Sequence, residues 1–146
     1  MRIREINTGD LDGLLTLYTQ LHNNPMPEKN AELEALWSRI LGDPNHHIVV
    51  AEDGGTLVSS CVVVIVPNLT HAQRPYALVE NVITDDHYRR HGYATAVLDF
   101  AKELAMKENC YKIMLMTGSK EESTLHFYER AGFNRNDKTA YIQWYR

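Results

Sequence analysis

The stretch that decides the fold is Glu80-Asn81-Val82-Ile83-Thr84-Asp85-Asp86-His87-Tyr88-Arg89-Arg90-His91-Gly92-Tyr93-Ala94-Thr95. With Tyr76-Ala77-Leu78-Val79 in front of it, its first half is apolar and β-branched, which predicts a strand over 76–84. A charged turn follows, then Gly92, and from Tyr93 the apolar residues recur at helical spacing. A strand entering a glycine turn at a helix N-terminus leaves several backbone N–H groups unpaired and pointing the same way. With the positive end of the helix dipole and the cations of Arg89 and Arg90, those donors make a seat for phosphate.

Downstream of the turn, Tyr93, Val97, Leu98, Ala101, Leu104 and Ala105 line one face of the predicted helix. Residues 111–116 read as a strand and 117–120 as its polar exit. A helix over 121–131 carries Leu125, Phe127 and Tyr128 and closes on Gly132, and residues 141–145 read as a last strand. Upstream, Ile3 and Ile6 belong to a short first strand, and Thr8 is the expected N-cap of a helix reaching Leu21. Asn23-Asn24-Pro25-Met26-Pro27 breaks that helix, and Leu33, Leu36, Trp37, Ile40 and Leu41 form the next. A hairpin follows: a strand over 47–52, a turn at Asp53-Gly54-Gly55 and a partner strand over 56–66. Val62-Val63-Val64-Ile65-Val66 does not alternate, which predicts cover on both faces. The order is strand, two helices, three strands, helix, strand, helix, strand: an α/β chain with a mixed, mostly antiparallel sheet and helices on both faces.

The 146 residues fit one domain over 1–146, and a 44% hydrophobic, 23% charged composition belongs to a globular chain rather than a disordered one. A formal charge of -4 argues against nucleic acid as the main partner, because phosphate backbones require a basic face. Cys61 and Cys110 stand far apart in apolar contexts and read as free thiols, not as a disulfide or metal pair. His87 and His91 are four apart but lie in a turn and lack an accompanying glutamate, so no metal is expected. The N-terminus has no apolar leader and no run is long enough to span a bilayer, giving a cytoplasmic expectation.

Two segments together carry a family resemblance. Arg89-x-x-Gly92-x-Ala94 resembles the acyl-CoA signature of the Gcn5-related N-acetyltransferases. Leu125-His126-Phe127-Tyr128-Glu129-Arg130-Ala131-Gly132-Phe133 is similar to a second segment of that family, in the right order and separated by a helix and a strand. The dinucleotide fingerprint is the rival label for the turn, but it needs three glycines near the start of a βαβ unit, and neither condition holds. The resemblance implies a sheet splayed at the acetyl-CoA site. Val82, Ile83 and Thr84 would flank the pantetheine, and the backbone of Arg89, Arg90, His91, Gly92, Tyr93, Ala94 and Thr95 would hold the pyrophosphate. By the same resemblance Tyr128 is the acid that protonates the departing CoA sulfur.

Glu80 is the candidate base. It interrupts an apolar run at the centre of a predicted strand, where an uncompensated carboxylate is costly, and many family members carry an acid there. The expected activity is direct transfer of acetyl from acetyl-CoA to a primary amine of a small molecule. The alternatives are an amino-sugar phosphate acceptor, a protein or peptide acceptor, and a non-catalytic acyl-CoA-binding regulatory module. Val79-Glu80-Asn81-Val82 and Asn109-Cys110-Tyr111-Lys112-Ile113 also resemble segments of glucosamine-6-phosphate N-acetyltransferases, although Asn81 stands where those have Asp. Dimerisation is common in the family, and the apolar 141–145 segment offers an edge for a homodimer.

Overall fold

A run of eleven residues with no polar alternation has to be sandwiched, and the chain is built around that requirement. The computed structural model describes residues 1–145. Strand β1 (Arg2–Glu5) is followed by helices α1 (Leu11–Tyr18) and α2 (Ala31–Gly42). Strands β2 (His46–Asp53), β3 (Thr56–Val66) and β4 (Tyr76–Thr84) come next, then α3 (Tyr93–Lys107), β5 (Ile113–Leu115) and α4 (Glu122–Arg130). The sheet runs β1-β2-β3-β4-β5, antiparallel except for β4 and β5. That parallel pair is what a crossover through α3 requires.

β3 lies at the centre and is covered on both sides. On one face Val62 and Val50 pack with Leu14 and Tyr18 of α1 and Trp37 of α2. On the other, Cys61, Val63 and Ile65 pack with Val97, Leu98 and Ala101 of α3, and Phe127 and Tyr128 of α4 join them. The β2–β3 hairpin turns on Gly54 and Gly55, both at positive φ, as a two-residue turn between twisted strands demands. Gly132 ends α4 with φ 101, the left-handed residue expected after a helix.

Four expectations about elements are corrected. The N-terminal cap is Asn7, not Thr8: Asn7 Oδ1 accepts from Gly9 N at 3.0 Å, and Asp10 Oδ2 accepts from Asn7 N at 2.7 Å. This reciprocal box winds a 3-10 turn before α1 begins. The Asp10 carboxylate is held by Arg4 at 2.7 and 3.0 Å, and Arg4 also reaches Glu52 at 2.8 Å, tying the turn to β1 and β2. α1 stops at Tyr18 rather than Leu21, because the chain leaves helical geometry and reaches left-handed His22 and Asn23. β5 is three residues, shorter than the predicted strand, since only Ile113, Met114 and Leu115 have partners on β4.

The last strand does not form. Residues 141–145 carry a strand pattern but lie unpaired among the described residues, with Tyr141 92%, Ile142 73%, Trp144 74% and Tyr145 90% exposed. A β pattern describes a side-chain surface, and without a neighbouring strand it has no ladder to complete.

Candidate active site

The site begins where β4 loses its neighbours. β4 pairs with β5 only at Ala77, Leu78 and Val79, so 80–84 have no strand beside them on that edge among the described residues. At the same place the register with β3 slips: Val62 faces Glu80, yet Ser60 faces Ile83. Two steps on β3 match three on β4, which makes a bulge in β4. Asn81 sits in it with φ 50, a left-handed conformation that asparagine tolerates better than most residues. Ser59 fastens the far side, its Oγ bonding Ile83 O at 3.0 Å and Thr84 Oγ1 at 2.8 Å. The sheet is therefore open beside Val82, Ile83 and Thr84, with Ile83 buried and Val82 half-buried.

Beyond Thr84 the chain enters the charged turn. Asp85 accepts from His87 N at 2.8 Å, which holds its carboxyl below the ordinary range, and its backbone N–H bonds Val58 O at 2.8 Å. Gln20, just past α1, clamps the turn from outside: its Nε2 donates to Asp85 Oδ2 at 3.1 Å and its Oε1 accepts from Asp86 N at 2.9 Å. Arg89 pairs with Asp86 at 2.9 Å, while Arg90 and His91 are exposed, Arg90 with φ 65.

Gly92 caps α3 with φ 82, and a Cβ placed there would meet nothing within 4 Å. Ala96 N is the amide that bonds back to Gly92 O, at 3.0 Å, so those of Tyr93, Ala94 and Thr95 precede the helical ladder. Free amides at a helix start suit an anion. Tyr93 contributes more than an amide: its ring is buried and its hydroxyl donates to Asp53 Oδ2 at 2.7 Å, fixing the helix start to the β2–β3 hairpin.

The two candidate proton-transfer groups lie on opposite sides of the sheet. Glu80 is the cross-strand partner of Val62 and shares its face, the one covered by α1 and α2. It is exposed, not covered by the strand's apolar neighbours as its position in the sequence suggests, because the sheet opens beside it. Tyr128 approaches from the α3 side, packing on the cluster that contains Cys61, with Phe127 and Phe133 edge-on at 5.2 and 6.4 Å. Burial, with a smaller contribution from Cys61, pushes its phenol above the ordinary value, so it keeps its proton. Cys61 is buried and its thiol is pushed up to about 12, which suits a core residue and not a nucleophile. His87 is occupied with Asp85, Nδ1 to Oδ1 at 3.2 Å.

Sequence reasoning missed Tyr18 and Gln20. Tyr18 counted as one more apolar position of a helix face, yet its hydroxyl is buried beside Ser60 and Asn81 at the bulge. Gln20 carried no pattern at all. The signal for the bulge itself was there: Glu80-Asn81 is a polar pair inside an otherwise apolar strand.

Residues 11–133 match the model of the acetyltransferase (GNAT) family. A glucosamine 6-phosphate N-acetyltransferase of Trypanosoma brucei brucei is 31% identical over 84 residues. That alignment takes in 58% of this chain and 55% of the relative, so the chain spans about half the length of the curated relative it matches. A putative acetyltransferase from Agrobacterium tumefaciens superimposes with a TM-score of 0.91 at 39% identity, over 99% of this chain and 100% of that one. The glucosamine-6-phosphate N-acetyltransferase of Arabidopsis thaliana shares the fold, with a TM-score of 0.85 at 23% identity over 99% and 97% of the two chains.

Proposed function

This chain belongs to the acetyltransferase (GNAT) family, and on that premise we propose that it is an acetyl-CoA-dependent N-acetyltransferase acting on a primary amine of a small molecule. The observation that carries the reading is the single path formed by β4: an open edge over 80–84 that leads directly to the free amides of Tyr93, Ala94 and Thr95. An extended pantetheine fits the edge and a pyrophosphate fits the amides, with Gly92 leaving room for close approach.

Bound acetyl-CoA supplies an activated thioester, and the chain's own groups supply the rest. Glu80, directly or through one water, takes a proton from the acceptor ammonium so that the nitrogen lone pair can attack the acetyl carbon. A backbone N–H of the bulged strand, near Val82, donates to the developing oxyanion. As the carbon–sulfur bond breaks, Tyr128 gives its proton to the sulfur, and the amide product and the free thiol leave. Neither cysteine enters: acetyl passes within a ternary complex, without an acetyl-enzyme.

The amino-sugar phosphate reading is favoured by the trypanosomal relative. Against it stands Asn81 in place of an acid. A cytoplasmic setting suits a chain whose two cysteines are both free. Among the described residues no helix is long and apolar enough to cross a membrane. Two copies are proposed to associate through the apolar side chains of 141–145.

The test is a panel of primary amines, including amino-sugar phosphates and lysine peptides, incubated with acetyl-CoA while free thiol is followed. Amine-dependent thiol release is expected from a small-molecule acceptor. Binding of acetyl-CoA with no turnover on any amine would favour a non-catalytic module, and no binding at all would sink the proposal.

A further inference from the structure

Helix α4 is lightly anchored. None of its nine residues is fully buried, and it rests on the half-buried side chains of Leu125, Phe127 and Tyr128. Where Tyr128 stands therefore depends on how the end of the helix is held. The chain leaves α4 by a Schellman turn: Phe133 N donates to Tyr128 O at 3.0 Å and Gly132 N to Glu129 O at 2.9 Å, with Gly132 left-handed at φ 101. Tyr128 is part of this cap. Its carbonyl closes the outer bond, and its ring meets Phe133 edge-on at 6.4 Å, the apolar contact that such a turn carries.

The turn leaves one carbonyl to a different element. Ala131 O accepts from Nζ of Lys102, a residue of α3. The same ammonium lies 5.5 Å from the centroid of the Phe133 ring, and a Cβ on Gly132 would stand 3.6 Å from it. Ala131, Gly132 and Phe133 thus all meet one cation. The helix dipole favours a cation at a C-terminus, and its bond to the carbonyl is charge-assisted. α3 is itself firmly seated, with Val97, Leu98, Ala101 and Ala105 buried against the sheet. Lys102 therefore ties a loosely held helix to a fixed one. Its other partner is Asp99, 3.6 Å away with its side chain 61% exposed, and an i,i+3 pair in solvent contributes little.

We infer that Lys102 is a positioning residue for the acid: its ammonium completes the cap of α4 and so fixes where the Tyr128 hydroxyl meets the thioester sulfur. The inference rests on the transferase reading above and adds to it the contact that sets the acid in place. Lys102 acts through the backbone of the cap and moves no proton itself. A hydroxyl displaced by about 1 Å donates poorly to the departing sulfur, because both hydrogen bonding and proton transfer are steep in distance and angle.

The test measures kcat and both KM values for wild type, Lys102→Met, Lys102→Arg, Tyr128→Phe and the Lys102→Met, Tyr128→Phe double variant, using the best amine from the thiol-release panel. Lys102→Met keeps the stem and removes the donor. It should lower kcat about tenfold, part of the roughly 100-fold that a general acid supplies, and leave both KM values unchanged. Lys102→Arg still donates to the carbonyl and should restore most of the loss. In the Tyr128→Phe background Lys102→Met should cost nothing further, because no hydroxyl is left to place. An equal loss in both backgrounds marks a merely structural role and overturns the inference, as does a wild-type kcat in Lys102→Met. If Lys102→Met does not fold, Lys102→Gln, whose donor is one bond shorter, is read in the same way. Wild-type turnover in Tyr128→Phe overturns the inference and leaves the transferase reading intact, whereas a wild-type protein that acetylates no amine removes both.

Discussion

Tyr128 shows how a single side chain is tuned by what covers it. Its ring is wedged against Phe127, Phe133 and the core around Cys61, and that desolvation disfavours the phenolate. A phenol whose pKa is raised is protonated below that raised value and loses its proton only above it. The phenol therefore keeps its proton across neutral and moderately alkaline pH, and if it is the proposed acid, its loss belongs to a limb above the ordinary phenol range. Tyr128→Phe keeps the ring and the packing but removes the proton. Turnover should fall about 100-fold, the usual scale for a general acid, with both KM values little changed. Any alkaline limb of the wild-type profile should disappear with it. Steady-state rates measured from neutral to strongly alkaline pH check this, and a variant with wild-type turnover throughout would remove Tyr128 as the acid.

At the scale of elements, the turn before α3 depends on one backbone conformation. Gly92 holds φ 82 at the start of α3, and no atom lies within 4 Å of where its Cβ would be. Gly92→Ala therefore costs only the left-handed backbone, about 1–2 kcal/mol, or roughly 3–6 °C in melting temperature. If a phosphate sits on the amides of Tyr93, Ala94 and Thr95, as proposed, the new methyl group would crowd it. Acetyl-CoA should accordingly stabilise the variant less than wild type in thermal unfolding, and an undiminished shift would mean that the phosphate binds elsewhere. This turn was legible in the sequence because strand pattern, Gly92 and helix pattern are local and agree. The double cover of β3 was legible for the same reason, from the unbroken Val62–Val66 run. What could not be read depends on non-local partners. Asn7 rather than Thr8 caps the first turn because Arg4 draws the Asp10 carboxylate into place. Glu80 is exposed because β5 ends at Leu115 and uncovers it. Tyr18 and Gln20 reach the site only after α1 has packed on the sheet.

The whole molecule combines a well-covered sheet with an uncovered end. Both faces of β3 are sealed, one by α1 and α2 and the other by α3 and α4, yet residues 141–145 project four large apolar side chains into solvent. An isolated exposed leucine needs no explanation, but four large apolar side chains exposed within five residues concentrate apolar surface of the kind that marks an interaction site. Fully burying each would stabilise an assembly by about 1.5–3 kcal/mol, so the four together can outweigh the entropy lost when two subunits associate. A second copy carries the same patch, and a symmetric pair can bury both at once. The full chain should therefore sediment as a dimer at micromolar concentration, and a chain ending at Lys138 as a monomer. A double Ile142→Asp, Trp144→Asp variant should behave like the truncated chain, because burying two carboxylates per subunit opposes association. Since neither change touches the sheet or its two cores, all three proteins should keep the same far-ultraviolet circular dichroism per folded residue. Sedimentation velocity decides the matter: a full chain that remains monomeric at high micromolar concentration would show that the patch meets no second copy.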